Sequence, residues 1–188
     1  MCFSFGISLG TFAFSWLVSL YLLNKELSVD QRHNVIFLMI FSSIQLADAV
    51  LWYIGMKKNK INYYVTSIFV PLILSIQIIY NLYFRNRYNN ILLNMLVAFI
   101  IISMFMKFNG YSVSLCKGQF SSPIWGGNEI SYWQMVIFCI LVLYPDWKMI
   151  LLSALVLFPF IRMISEGGYG SLWCAIANVL AIKYLLVY

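Results

Sequence analysis

The sequence predicts an all-α integral membrane protein, a bundle of seven transmembrane helices forming one domain over residues 1–188. Two observations predict this class. First, 63% of the residues are hydrophobic and only 10% are charged, and a soluble domain of this size has too small an interior to bury so much apolar surface. Second, most of the apolar residues fall into segments long enough to cross a bilayer at ~1.5 Å per residue.

Seven apolar segments are predicted to span the membrane. They cover about residues 3–23, 35–55, 61–84, 91–108, 132–144, 147–164 and 170–188. The fifth is barely long enough to cross, so we expect tilt, local thinning of the bilayer or a partly re-entrant path. Pro71 and Pro159 are expected to kink the third and sixth spans. Six spans is the main alternative.

The one long connection, residues 109–131, precedes the fifth span. Its glycines, serines and Pro123 break any helix, yet side chains such as Phe120 and Trp125 are too apolar for a freely solvated loop. We therefore expect a capping loop that folds back over one mouth of the bundle, with room for a short hairpin.

Charge excludes one class of partner. The formal net charge is +6 and arises mostly from short connections, which predicts contact with the lipid bilayer and its anionic headgroups. The longest basic run, Lys57-Lys-Asn-Lys60, is too short to indicate nucleic-acid binding. Grouping alternate connections places half of the 12 basic residues on each side, so the orientation stays open. A homo-oligomer also stays open.

A carboxylate, Asp48, lies near the middle of the second predicted span. Phe41, Gln45, Asp48 and Trp52 recur at helical spacing and so share one face. A carboxylate facing lipid would be costly, so this face is predicted to point into protein or water. Intramembrane carboxylates commonly mark proton or cation pathways, and the alternative is a structural group that hydrogen-bonds helices together.

Other polar residues extend this face into what we call the polar seam: Gln45, Asp48, Gln77, Asn81 and Asn178. Gln77 and Asn81 are four positions apart in the third span and share a face, whereas Asn178 belongs to the seventh. Taken together, these residues predict a pathway or site for a small ion or solute. Taken singly, each amide is expected to hydrogen-bond neighbouring helices.

Arg162 and Glu166, four positions apart, close the sixth predicted span just before Gly167 and Gly168. An ion pair at the membrane surface explains this spacing and contributes little to stability. The second interpretation is a gate, whose movement the glycines would permit.

Catalysis is not favoured. Cys2 and Ser4 are candidate nucleophiles, but a nucleophile needs a base within hydrogen-bond reach, and the single histidine, His33, follows the first connection at the membrane edge. No Cys-x-x-Cys motif or Cys/His pairing is present, so no metal is predicted. No cofactor is predicted either. Lys183 lies in the seventh predicted span, where retinal proteins carry the lysine that binds their chromophore, but it is near the end of that span and its side chain can snorkel to the headgroups.

Several short motifs resemble those of a known family. They are Met1-Cys2-Phe3-Ser4 at the start, Gln45, Asp48 and Trp52 in the second span, Cys116 and Trp125 in the long connection, and Ser171-Leu172-Trp173-Cys174 near the end. They are similar to motifs of small multi-pass membrane proteins that begin Met-Cys-Phe-Ser and occur in bacteria, protists and large DNA viruses.

That resemblance implies a seven-helix membrane fold and no particular activity. Several members carry histidines in spans three and five, which this sequence lacks, so imidazole chemistry is not implied. The leading hypothesis is therefore an ion or small-solute channel or transporter. The alternatives are a membrane-embedded enzyme that uses Cys2 or Ser4, and a non-catalytic assembly or signalling protein.

Overall fold

The structure is a computed structural model that describes residues 4–117, 120–157, 159 and 169–188. The helices are α1 (Phe5–Leu23), α2 (Val29–Ser42), α3 (Ile44–Tyr53), α4 (Lys60–Arg85), α5 (Ile91–Lys107), α6 (Tyr132–Leu143), α7 (Trp147–Leu152) and α8 (Tyr169–Val187). A π-helical segment, Ser153–Leu157, continues directly from α7. Strands β1 (Val113–Lys117) and β2 (Phe120–Ile124) pair antiparallel, with Val113 opposite Ile124. The short hairpin expected in the long connection is thus confirmed.

Three helical stretches are long and apolar enough to cross a membrane: Phe5–Leu23, Val29–Tyr53 and Lys60–Arg85. Shorter apolar helices run over Ile91–Lys107, Tyr132–Leu143 and Ile176–Val187. The helical class is confirmed, and the three long helices are compatible with the predicted membrane protein.

Polar residues fix where most helices begin. The N-cap side chains that accept a backbone N–H are those of Ser4, Ser28, Asn59, Asn90, Ser131 and Asp146. At Ser28 the Gln31 side chain also accepts the N-cap N–H, which completes a capping box. The second helical stretch therefore begins at Val29 rather than at Val35, because the cap adds a polar turn that hydropathy does not register.

The second stretch is broken at Ser43, between α2 and α3. The Ser43 hydroxyl donates to the Met39 carbonyl at 2.7 Å, and such a bond to the preceding turn often bends a helix. Asp48 lies five residues before the end of α3 at Tyr53, a rise of about 7 Å. The carboxylate is consequently closer to one end of the helix than the sequence suggested.

Helix α4 contains two π-helical segments, Val65–Phe69 and Tyr80–Arg85. Pro71 follows the first at the start of the regular segment Val70–Ile79. Because proline has no N–H to donate to the preceding turn, the wider π-helical turn accommodates it. π-bulges of this kind are frequent at functional sites.

Contacts between helix ends define two ends of the bundle. At what we call the loop end, the ring of Phe5 lies 5.6 Å from that of Tyr53, and residues 109–112 contact the start of α4. At the opposite end, Asn34 donates to the Tyr188 hydroxyl at 2.9 Å.

The centre of the bundle is formed by α2, α3 and α4, with α1 and α8 packed on one side and α6 on the other. Helix α5 is peripheral and has Val97 as its one buried residue. Its large exposed side chains are Ile91, Leu92, Met95, Leu96, Phe99, Ile102 and Met106. A surface this apolar requires lipid or another protein chain to cover it.

Candidate functional site

The site is centred on Asp48, whose side chain is fully buried. The indole Nε1–H of Trp125 donates a 2.9 Å hydrogen bond to Asp48 Oδ1. Among the described residues, Asp48 Oδ2 has no hydrogen-bond partner. Phe41 and Gln45 on the same face are also fully buried and Trp52 is half-buried, as the helical spacing predicted.

Trp125 reaches Asp48 because the backbone turns sharply beside it. It begins a 3₁₀ turn, Trp125–Gly127, in which Gly126 has φ +68°, a conformation that side chains disfavour. A Cβ on Gly126 would lie 2.9 Å from the Lys107 carbonyl oxygen. The ring of Phe108 packs edge-on against the indole at 5.8 Å. The turn, the end of α5 and the indole are therefore held together by close backbone packing.

A second buried polar cluster anchors the beginning of the same connection. The Asn62 amide donates to the Ser112 carbonyl at 3.0 Å, and its oxygen accepts the Ser112 N–H at 2.8 Å. The Thr66 and Ser112 hydroxyl oxygens lie 2.7 Å apart. The Ser67 hydroxyl also accepts the Gly110 N–H at 2.9 Å. The connection is thus fixed to α4 just before the hairpin and placed over Asp48 just after it.

Gln77 lies at the level of Phe41, about two helical turns further from the loop end than Asp48. Its amide donates to the Phe41 carbonyl at 3.2 Å, which joins α4 to α2. Its oxygen Oε1 is buried and has no partner within the described chain. Phe41, Gln45 and Asp48 lie on successive turns over about 10 Å of helix, so the buried polar groups form a line.

Asn81 is one turn beyond Gln77, and its hydrogen bonds are extensive. Its amide donates to the carbonyls of Leu141 and Tyr144, each at 2.9 Å, and its oxygen accepts from Arg85 at 3.1 Å. These contacts hold the end of α6 against α4. Asn81 therefore acts as a structural link, and it closes the line of polar groups at the opposite end.

Asn178, the remaining member of the polar seam, is half-buried in α8. Its Oδ1 is buried without a partner among the residues the structure describes. Helix α8 packs against α1, α2 and α3. The structure thus places Asn178 on a helix next to the one that carries Asp48.

The remaining candidate residues are a helix cap, residues of α8 and residues outside the described chain. Ser4 is exposed, and its hydroxyl caps α1 by accepting the Ile7 N–H at 3.3 Å. The residues that lie outside the described chain are Cys2, Arg162, Glu166, Gly167 and Gly168. The motif residues Ser171, Trp173 and Cys174 belong to α8.

The arrangement can hold a positive charge. A buried carboxylate with a single hydrogen bond requires a proton or a cation for compensation, and Oδ2 is the oxygen left for it. Within residues 4–117, 120–157 and 169–188, no group of three or more His, Cys, Asp or Glu side chains could hold a metal ion. One carboxylate with neutral oxygens suits a proton or a monovalent cation better than a tightly held divalent ion.

Sequence reasoning missed two features of the site. The sequence marks Trp125 as unusually apolar for a glycine- and serine-rich loop but does not indicate that it is the partner of Asp48. The second feature is the pair Asn62 and Thr66, whose spacing of four residues places both side chains on one helical face. Polar residues four positions apart near the start of a helix are the sequence pattern that could have indicated this cluster.

Comparison with protein-family models, with curated proteins and with solved structures finds no match to this chain. The geometry of the site is therefore the basis for assigning a function, and the Met-Cys-Phe-Ser resemblance stays a prediction.

Proposed function

We propose that this protein is a multi-pass membrane protein that binds and passes a proton or small cation along the polar seam, with Asp48 as the coupling group. The observation that carries the proposal is the fully buried carboxylate whose Oδ2 has no hydrogen-bond partner in the described chain. Ionisable groups in membrane-spanning helices are costly and are retained mainly where they handle charge.

The proposed pathway begins beneath Trp125 at the loop end and follows Asp48, Gln45 and Gln77 toward Asn81. Gln77 offers a carbonyl oxygen without a partner among the described residues, and amide oxygens can coordinate a cation or relay a proton through water. Asn178 would supply a further oxygen from α8. The extensive bonds of Asn81 make it the structural boundary of this pathway.

The proposal includes the seven-span topology and the capping loop. Contacts at the two ends support it: Phe5 meets Tyr53 and Asn62 meets Ser112 at the loop end, whereas Asn81 meets Tyr144 at the opposite end. These contacts support a topology in which α1, the combined α2–α3 stretch and α4 run in alternating directions. Residues 109–131 would cap the mouth above Asp48, since Trp125 is buried against that carboxylate.

The test is proton and cation flux in proteoliposomes under an imposed membrane potential, followed with a pH-sensitive or cation-sensitive dye. We expect the unmodified protein to conduct and Asp48→Asn to lose at least nine-tenths of the flux. Asparagine keeps the size and an acceptor for Trp125 but removes the titrating charge, so folding should survive.

Asp30→Asn is the matched control, because Asp30 is an exposed carboxylate in the first turn of α2 and should leave flux unchanged. Both variants should elute as monodisperse particles in detergent. If the unmodified protein conducts no proton or cation, or if Asp48→Asn conducts like the unmodified protein, the proposal is wrong.

The enzyme alternative gains no support from the described residues. Ser4 is exposed and caps a helix at the loop end, while His33 contacts the Tyr80 hydroxyl at 2.9 Å, beyond Gln77 on α4. A base at the opposite end of the bundle cannot activate the Ser4 hydroxyl. The peripheral position of α5 leaves room for a homo-oligomer, which is compatible with transport.

A further inference from the structure

A cavity of about 100 Å³ opens between α5 and α6 near the loop end. Its apolar walls are formed by Leu74, Met104, Phe108, Trp125, Met135 and Phe138. Cavities of this order lined by apolar side chains can stay dry and admit small hydrocarbons. An apolar ligand, rather than water or an ion, is the chemistry that these walls favour.

One end of the cavity is polar and carries a positive charge. Lys107 and Gln134 line it there, together with Ser103 one turn deeper on α5. The Lys107 ammonium donates to Gln134 Oε1 at 2.6 Å and to the Glu129 carbonyl at 2.8 Å. An ammonium has three N–H donors, so one donor is left for an anionic group at the rim.

The surroundings of the cavity indicate how a ligand would enter. Helix α5 is peripheral, and its outward side chains Phe99, Ile102 and Met106 are 68%, 59% and 75% exposed. This surface is of the kind that faces lipid. A hydrocarbon chain lying against α5 can therefore enter the space between α5 and α6 without crossing water.

We propose that this cavity, walled by Met104, Phe108 and Met135 and rimmed by Lys107, binds the carboxylate end of a long-chain fatty acid. The carboxylate would accept a hydrogen bond from Lys107, the adjacent methylenes would fill the cavity, and the rest of the chain would lie along α5 in the bilayer. One narrow cavity and one cation match a single chain with a single negative charge. The site does not depend on the proposed transport.

The test is photocrosslinking of the whole protein in lipid nanodiscs, using a long-chain fatty acid with a diazirine within its first few carbons. The matching alcohol serves as the uncharged probe. Mass spectrometry of the labelled peptides should locate the adduct on the segments that contain Met104, Phe108 and Met135. The acid should label at least about tenfold more than the alcohol, as expected for one charged hydrogen bond.

Variants separate the two parts of the proposal. Lys107→Gln should lower acid labelling about tenfold and leave alcohol labelling unchanged, whereas Lys107→Arg should restore it. Met135→Trp should block both probes by filling the cavity. Lys183→Gln removes another exposed lysine, on α8, and should change neither.

Equal labelling by acid and alcohol, or adducts spread along the outer face of α5, would overturn the proposal. If Lys107→Gln does not give a monodisperse protein because it loses the bridge to Gln134, Met135→Trp decides alone. Labelling that survives this substitution would show that the probe lies outside the cavity.

Discussion

The indole N–H of Trp125 donates to the carboxylate of Asp48 at 2.9 Å, across 77 positions of sequence. One partner lies in a connecting segment and the other in the helical core, so this bond links the position of the loop to the state of the buried charge. A proton or cation that binds Oδ2 would reduce the negative charge on Oδ1 and so weaken the hydrogen bond that Oδ1 accepts from Trp125. Charge at Asp48 and closure of the loop are therefore expected to be coupled.

Trp125→Phe removes the indole N–H and keeps an aromatic ring at this buried position. Trp125→Phe should destabilise the protein by about 1–3 kcal/mol, since it leaves the buried Asp48 without its donor. If the loop caps the proposed pathway, flux should also rise. Thermal unfolding in detergent measures the first effect and the proteoliposome assay the second.

Trp133→Phe is the control for that substitution, because Trp133 is 71% exposed. It should be close to neutral in both measurements. Equal unfolding temperatures for the two variants would mean that the bond to Asp48 contributes nothing to stability.

The backbone beside Trp125 offers an independent test. Gly126→Ala would place a methyl group 2.9 Å from both the Lys107 carbonyl oxygen and the Phe108 Cα, at φ +68°. The turn must then shift, so we expect a loss of about 1–3 kcal/mol and faster hydrogen exchange at the Trp125 indole. NMR of protein labelled with ¹⁵N at the tryptophan indoles would measure the rate of this exchange.

Gly10→Ala is the matched glycine control, since a Cβ at Gly10 meets no atom within 4 Å. Gly10 lies inside α1, where alanine is favoured over glycine by about 1 kcal/mol. This variant should be neutral or more stable. A Gly126→Ala protein as stable as Gly10→Ala would contradict the packing described for the turn.

Asn81 is expected to act through structure. Asn81→Ala removes two donors to the Leu141 and Tyr144 carbonyls and should cost about 2 kcal/mol. Asn89→Ala, at an exposed position between α4 and α5, should cost almost nothing. Denaturant unfolding of both variants in the same detergent makes the comparison, and equal midpoints would contradict the role of Asn81 in holding α6.

The helices were largely predictable because apolar composition and length determine them. The buried face of Asp48 was predictable too, since helical spacing aligns it with Phe41 and Gln45. The start of the second helix was predicted six positions late, because the Ser28 cap is a local hydrogen-bond pattern within polar sequence.

The partner of Asp48 could not be predicted. Its identity depends on the path of residues 109–131, which the bonds of Ser112 to Asn62 and the close packing of Gly126 determine. Such contacts between distant segments leave no periodic signal in the sequence. The residues of the polar seam were identifiable as polar groups within apolar helices, but which of them would be left without a partner depends on tertiary structure.

The proposed topology makes a direct prediction about accessibility. Lys58 lies in the connection between α3 and α4, Glu129 in the long connection and Arg87 between α4 and α5, and all three are exposed. Single cysteines are placed at these positions in a background without the four native cysteines. They should differ in the side of the membrane from which they react. Lys58→Cys and Glu129→Cys should react with a membrane-impermeant maleimide from one side of sealed vesicles, and Arg87→Cys from the other.

The reason is that α4, Lys60–Arg85, is long and apolar enough to cross a membrane and in the proposed topology would separate Lys58 from Arg87. Helix α5 would return the chain to the loop end, where Ser112 meets Asn62. Permeabilised vesicles, in which all three cysteines should react, provide the control for reactivity. Labelling of Lys58→Cys and Arg87→Cys from the same side would remove α4 as a span, and with it the seven-span topology.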